Sequence, residues 1–194
     1  MFVTHAQRER AGWQTREQRV NFVAEAEVLG ALTNVESEVR FASSGIAAEE
    51  LEDAVFDRQA AERLCQRLGV KNVTTHRIEE NAEPPPGPFD AVLVDAPCSN
   101  TGVLGRRPEV RWRIKPMEFQ HLIWLQTMLL LQAAERVKPR GTIVYSTCSI
   151  EPDENENVVM GVLRAMKNVK LEAEQYAIPG APADGGYWAR LRKA

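Results

Sequence analysis

The sequence predicts an open α/β sheet with mostly parallel strands, and three observations carry that expectation. Ala91-Val92-Leu93-Val94 and Thr142-Ile143-Val144-Tyr145 are short, continuous apolar runs, the pattern of strands buried on both faces. Between them lies a long stretch of helical periodicity through Leu122, Leu125, Leu129 and Val137, the length of crossover that joins two parallel strands. Each run then ends in a polar turn, Asp95-Ala96-Pro97-Cys98 or Ser146-Thr147-Cys148-Ser149. Ligands of open sheets bind at such strand ends.

Taken in order, residues 1–50 give one amphipathic helix near Thr15 to Leu32, with Val20, Val23, Leu29 and Leu32 broadly on one face. Thr33 to Ala48 is polar and aperiodic, and no glycine-rich turn or long buried strand is legible in this zone. From Leu51 a second helix runs through Leu64 and Leu68 to Gly69, which suits a C-terminal cap. A short strand follows around Val73. Glu79 to Pro88 holds Pro84, Pro85, Pro86, Gly87 and Pro88, which sustain neither a helix nor a central strand. After the first buried strand, Pro116 opens the long helix and Lys138-Pro139-Arg140-Gly141 stops it. Pro152 starts another, with Val158, Val162, Leu163 and Met166 on one side, and strands are expected at Val169–Glu172 and Gly186–Leu191. The expected division is a helical segment over 1–50 and an α/β domain over 51–194.

Composition narrows the function classes. A chain of 194 residues with 44% hydrophobic content and a formal charge of −3 has no global basic footprint, so nucleic-acid binding would require a local patch. Cys65, Cys98 and Cys148 are odd in number and widely spaced, which favours neither a disulfide framework nor a zinc site. No apolar run approaches the roughly 20 residues that span a bilayer, and no signal-peptide core is visible. The expectation is a cytoplasmic protein without a membrane or a metal.

Two thiols and a carboxylate, Cys98, Cys148 and Asp95, stand at the ends of strands that the crossover makes neighbours. A thiol acts as a nucleophile only when ionised, from an ordinary pKa near ~8.5, so polar turns suit reactivity better than a core. Taken singly, each cysteine is equally read as an inert small hydrophobe, and Cys65, inside a helix, is read so. Between Leu104 and Pro116, Arg106, Arg107, Arg111, Arg113 and Lys115 face one acid, Glu109, with Trp112 among them. Such a loop suits phosphate contacts and base stacking; the alternative is a solvated loop with Trp112 packed under the next helix. The acidic stretches Glu79–Asp90 and Glu151–Glu156 read as solvated surface, and His76 and His121 as structural.

Asp95-Ala96-Pro97-Cys98-Ser99-Asn100-Thr101-Gly102, Arg107-Pro108-Glu109-Val110-Arg111-Trp112 and Tyr145-Ser146-Thr147-Cys148-Ser149-Ile150-Glu151-Pro152 closely resemble, in order and spacing, the signature blocks of the Sun/NOP2-type (RsmB-like) RNA cytosine-5 methyltransferases. The resemblance runs from about Ala60 to the C-terminus, where Asp184-Gly185-Gly186-Tyr187-Trp188-Ala189 resembles the closing strand. It implies a Rossmann-like S-adenosylmethionine methyltransferase sheet, incomplete in its N-terminal half, acting on rRNA or tRNA. It also implies roles. Cys148 would attack C6 of the cytosine, Cys98 would help resolve the adduct, and Asp95 would lie between S-adenosyl-L-methionine and the base. Arg106, Arg107, Arg111, Trp112, Arg113 and Lys115 would contact RNA, whose target base must be unpaired or flipped.

The first family block, a strand followed by a Cys-Ala-Ala-Pro-Gly-Gly-Lys-like loop, has no counterpart here. Phe41-Ala42-Ser43-Ser44-Gly45-Ile46 lacks the paired glycines, the proline and the lysine. Glu52, Asp53 or Asp57 are the candidates for the ribose-binding acid, and Asn81 stands where an aspartate is expected. The family's N-terminal RNA-binding extension is likewise not legible. Two readings follow: a methyltransferase whose cofactor site is completed elsewhere, for instance by a partner chain, or a truncated relative that is at most an RNA-binding remnant. A third makes Cys98 and Cys148 a redox pair.

Overall fold

In the computed structural model the described residues are 2–4, 19–24, 63, 66–67, 73–78, 87–112, 114–180 and 183–194. The chain divides into two units, Met1–Pro86 and Gly87–Ala194. The first unit contains strands β1 (Phe2–Thr4), β2 (Arg19–Ala24) and β3 (Val73–Ile78). β2 pairs antiparallel with both of the others.

β2 corrects the helix expected between Thr15 and Leu32. Arg-Val-Asn-Phe-Val-Ala is rich in β-branched and aromatic side chains, and its pairing partners come from sequence positions on either side, beyond any local periodicity. The strand expected near Val73 is β3. Of the helix expected from Leu51 to Leu68, the described residues Arg63, Gln66 and Arg67 are helical. Phe41–Ile46, Glu52, Asp53, Asp57, Cys65, Asn81 and Arg113 lie outside the described residues.

The second unit is built on β4 (Phe89–Asp95), β5 (Val137–Thr147), β6 (Val169–Ala177) and β7 (Gly186–Lys193). Their order is β4-β5-β7-β6. β4 and β5 are parallel, in register from Ala91 opposite Thr142 to Asp95 opposite Ser146. β7 runs antiparallel to β5 and to β6, so the expectation of a mostly parallel sheet gives way to a mixed one. The cause is local: β6 returns into β7 through a loop, and such a hairpin can only place antiparallel neighbours.

Helix α1 (Pro116–Arg136) makes the crossover, with proline in its first turn, and runs straight into β5. Val137 is both its cap, donating its N–H to the Ala133 carbonyl, and the first residue of the strand. The stop signal Lys138-Pro139-Arg140-Gly141 therefore lies inside β5, in a bulge where Phe89 faces Val137 but Ala91 faces Thr142. Arg140 takes a left-handed conformation there, φ 65°. α1 buries Leu125, Gln126, Leu130, Ala133 and Ala134, and α2 (Glu156–Ala165) buries Val158, Val159 and Val162. Between helices and sheet the core is Val92, Val94, Ile143, Tyr145, Ala189 and Leu191, all essentially inaccessible. That rigid centre fixes where β4 and β5 end, and so where their following turns begin. Among the described residues no helix is long and apolar enough to cross a membrane.

Candidate active site

The turns after β4 and β5 are stitched into one body. The Ala96 N–H donates to the Ser146 carbonyl (2.9 Å) and the Gly102 N–H to the Cys148 carbonyl (3.0 Å). The Thr101 and Ser149 hydroxyls lie 3.1 Å apart, and the Ile150 N–H donates to Thr101 Oγ1 (3.1 Å). A further strap comes from the loop before β7, where the Gly185 N–H donates to the Gly102 carbonyl (2.8 Å). Gly102 is required here, because a Cβ would run into the Gly185 and Cys148 carbonyls.

Within this body the sulfurs of Cys98 and Cys148 stand 3.2 Å apart. Cys98 is buried and Cys148 is partly accessible, so of the two sulfurs Cys148 is the one that a reagent can reach. Asp95, at the last position of β4 and half-buried, accepts a hydrogen bond from the Ser146 hydroxyl at 2.9 Å. The structure thus brings together all three residues singled out at the strand ends.

The pair is electrostatically unequal. The hydrogen bond with Cys148 pushes the Cys98 thiol well above the ordinary range, and burial adds to this. The same bond lowers Cys148, against the opposing effects of burial and of the Asp95 charge. Of the two, Cys148 is the sulfur that ionises more readily.

Beneath the first turn sits a carboxyl group that sequence reasoning places on the surface. Glu154, from the segment expected to be solvated, is fully buried, as is Asn155. Glu154 accepts the Ser99 N–H at 2.9 Å, the Ser99 hydroxyl at 2.5 Å and the Gln126 amide at 2.9 Å. The Gln126 amide also donates to the Pro97 carbonyl at 2.6 Å, and the buried Tyr145 hydroxyl to the Glu154 carbonyl at 2.6 Å. Asn155 accepts from the Thr147 hydroxyl (2.6 Å) and donates to the Ser149 carbonyl (3.0 Å). Pro152 is the signal in hindsight. It opens a single 3-10 turn, Pro152–Glu154, whose reversal directs Glu154 inward while Asp153 stays outside.

The basic loop is on the surface. Trp112 is 87% exposed, at the end of the 3-10 turn Pro108–Trp112 that Val110 anchors in the core, so the packed alternative does not hold. Arg106, Arg107, Arg111 and Lys115 are exposed, Arg106 pairing with Asp184 at 3.0 Å. His121 is also exposed and stacks on Trp124, ring centres 5.7 Å apart. His76 lies in β3. Among the described residues no cluster of metal-binding side chains is found.

Comparison with known proteins is consistent with this geometry. The chain is 36% identical to the ribosomal RNA small subunit methyltransferase B of Shewanella oneidensis, over 72% of this chain and 36% of that protein. With its namesake from Klebsiella pneumoniae it shares 38% identity over 54% of this chain and 26% of the relative. It therefore spans about a third of the length of the curated relatives it matches. The crystal structure of NSun6 from Pyrococcus horikoshii with SFG superposes with a TM-score of 0.58 at 28% identity, covering 70% of this chain and 38% of that one. A methyltransferase homologue from Pyrococcus horikoshii gives 0.57 at 28% identity, over 71% and 51%. The mixed sheet is thus that of a Rossmann-like, S-adenosylmethionine-dependent methyltransferase fold. The family described as 16S rRNA methyltransferase RsmB/F matches residues 30–183, further toward the N-terminus than the signature blocks alone reach, and the chain belongs to that family.

Proposed function

We propose that this chain carries the base-facing half of an enzyme that methylates C5 of a cytosine in RNA through a covalent cysteine adduct. The observation that supports it most is the pair of unequal sulfurs, 3.2 Å apart, beside a carboxylate at the ends of two parallel strands. The names of the relatives favour ribosomal RNA as the substrate.

The described residues fit one wall of an S-adenosylmethionine site. Asp95, half-buried and oriented by Ser146, is the residue that would hold the cofactor here, and the related NSun6 was crystallised with SFG, an analogue of that cofactor. When bound, S-adenosylmethionine supplies the methyl group that C5 accepts. The sequence shows no Cys-Ala-Ala-Pro-Gly-Gly-Lys-like loop for the amino-acid end, so a partner chain is proposed to complete the site.

The chain's own residues do the rest. The Cys148 thiolate forms a bond to C6, which moves the ring electrons toward C5 and makes that carbon nucleophilic. Asp95 accepts a hydrogen bond from the cytosine edge and favours the polarised ring. Once Cys148 is bonded to carbon, the interaction that most raises the Cys98 thiol weakens. Cys98 is then freer to release its own proton to water in the site and, as the thiolate, to take up the proton from C5. The electron pair of that C–H bond restores the ring and expels Cys148.

Titration calorimetry of the chain with S-adenosylmethionine tests the enzyme reading against that of an RNA-binding remnant. Saturable binding in the micromolar range supports the enzyme reading, and absence of heat at millimolar ligand removes it for the chain without a partner. On the RNA side, Trp112→Ala should weaken binding of a single-stranded cytosine-containing RNA about tenfold, since one stacked base is worth ~1–3 kcal/mol. Arg111→Ala should reduce the slope of log affinity against log salt by about 0.7, the value for one phosphate on a single strand. Fluorescence anisotropy at several salt concentrations reads both, and unchanged affinity in the tryptophan variant would take the stacking role away.

A further inference from the structure

We propose that Asn100 is a positioning residue that tells the two thiols apart, fixing the direction of the hydrogen bond between them from Cys98 to Cys148. Asn100 lies two residues beyond Cys98, in a left-handed conformation (φ 60°, ψ 24°) that asparagine tolerates better than most side chains. Its Nδ2 donates to the Cys98 carbonyl at 3.1 Å, and its Oδ1 stands 2.7 Å from Cys148 Sγ.

The orientation of this amide follows from its partners. A backbone carbonyl only accepts, so the Nδ2 end must face Cys98 and the Oδ1 end must face Cys148. Oδ1 also only accepts, so it takes the Cys148 proton. The lone pairs of Cys148 are then what it offers to the other sulfur at 3.2 Å, and the hydrogen between the sulfurs belongs to Cys98. Donation in the opposite sense would leave Oδ1 facing bare sulfur lone pairs. The turn cannot drift away to relieve this, since the Gly102 N–H holds the Cys148 carbonyl at 3.0 Å.

Asn100 and Cys98 therefore act on Cys148 in opposite senses. The amide oxygen supports the protonated sulfur, whereas the Cys98 thiol supports the ionised one. The other charged or titratable groups acting on Cys148 are Asp95 at the end of β4 and Glu154 on the turn after β5, and substitution of Asn100 leaves both in place. This inference rests on the reading of Cys148 as nucleophile for its meaning in the reaction, but its test uses neither RNA nor cofactor.

The test is the pH dependence of alkylation of Cys148 by iodoacetamide, read by mass spectrometry of the Cys148 peptide. Asn100→Gly keeps the left-handed turn without strain and removes the acceptor, so the midpoint should move to lower pH. Asn100→Asp places a carboxylate against the sulfur and should move the midpoint up by about one unit or more. Opposite shifts in the two variants support the proposal; shifts in the same direction, or none in either, overturn it. Opposite shifts in a chain whose unsubstituted form transfers no methyl group to RNA would leave this inference standing and count against the proposed function alone.

Discussion

Cys148→Ala is expected to abolish both methyl transfer and covalent capture of RNA, while Cys98→Ala leaves RNA attached to the protein. Removing the nucleophile of a covalent catalyst lowers turnover by on the order of 10⁴-fold or more, and here no other described side chain can take its place. The only other free thiol among the described residues, Cys98, is buried and biased toward its protonated form. In the Cys98→Ala variant the attacking sulfur remains, so the adduct forms and a single methyl group is transferred, but loss of the C5 proton slows. Denaturing gel electrophoresis with labelled RNA reads the outcome as a slowly migrating band in the Cys98 variant and none in the Cys148 variant. Equal loss of activity without trapping in both would refute the division of labour. Reversible oxidation with no trapping in the parent chain would favour the redox reading of the pair, since the sulfurs need approach only from 3.2 Å to the ~2.05 Å of a disulfide.

The second large effect concerns stability. Glu154→Ala should lower the unfolding temperature by about 5–15 °C. The carboxyl group is fully buried and accepts the Ser99 N–H, so truncation orphans that donor and opens a cavity. The Ser99 hydroxyl and the Gln126 amide each retain a second neighbour, at the Ser149 hydroxyl and the Pro97 carbonyl. One unsatisfied buried donor costs ~1–3 kcal/mol, and the unfilled space adds to it. At about 2–4 °C per kcal/mol for a chain of this size, the total falls in the stated range. Glu154→Gln, which keeps the volume and one acceptor oxygen, should lose about half as much. Differential scanning fluorimetry of both variants checks the ranking, and a wild-type melting curve for Glu154→Ala would mean that the buried network carries no weight.

How much of the molecule is legible in its sequence depends on whether the signal is local. β4, β5, α1 and α2 declare themselves within their own residues, through apolar runs, helical periodicity and proline at the starts. The cysteines stand out because strand ends in an open sheet are where ligands collect, and family resemblance then supplies their roles. β2 reads wrongly as helix because Val20 and Val23 stand at a helical spacing, although their β-branched side chains suit a strand, and the choice is made by β1 and β3. Glu154 reads wrongly as surface for a related reason: its donors, Ser99 and Gln126, are far away in sequence, and an acidic run carries no mark of the one member that turns inward. The antiparallel arrival of β7 hinges on the loop that precedes it, which resembles the family's closing block without stating a direction.

The three-way clasp of Gly102, Cys148 and Gly185 has a consequence for biosynthesis. Its members emerge from the ribosome at well-separated times, and the last strap is Gly185, just ahead of β7. A nascent chain halted before that point lacks the Gly185 strap, and its two turns are held only by the bonds they make with each other. Full closure around the proposed nucleophile is thereby tied to synthesis of the segment just ahead of β7, because non-local contacts form only after the chain between them has been closed into a loop.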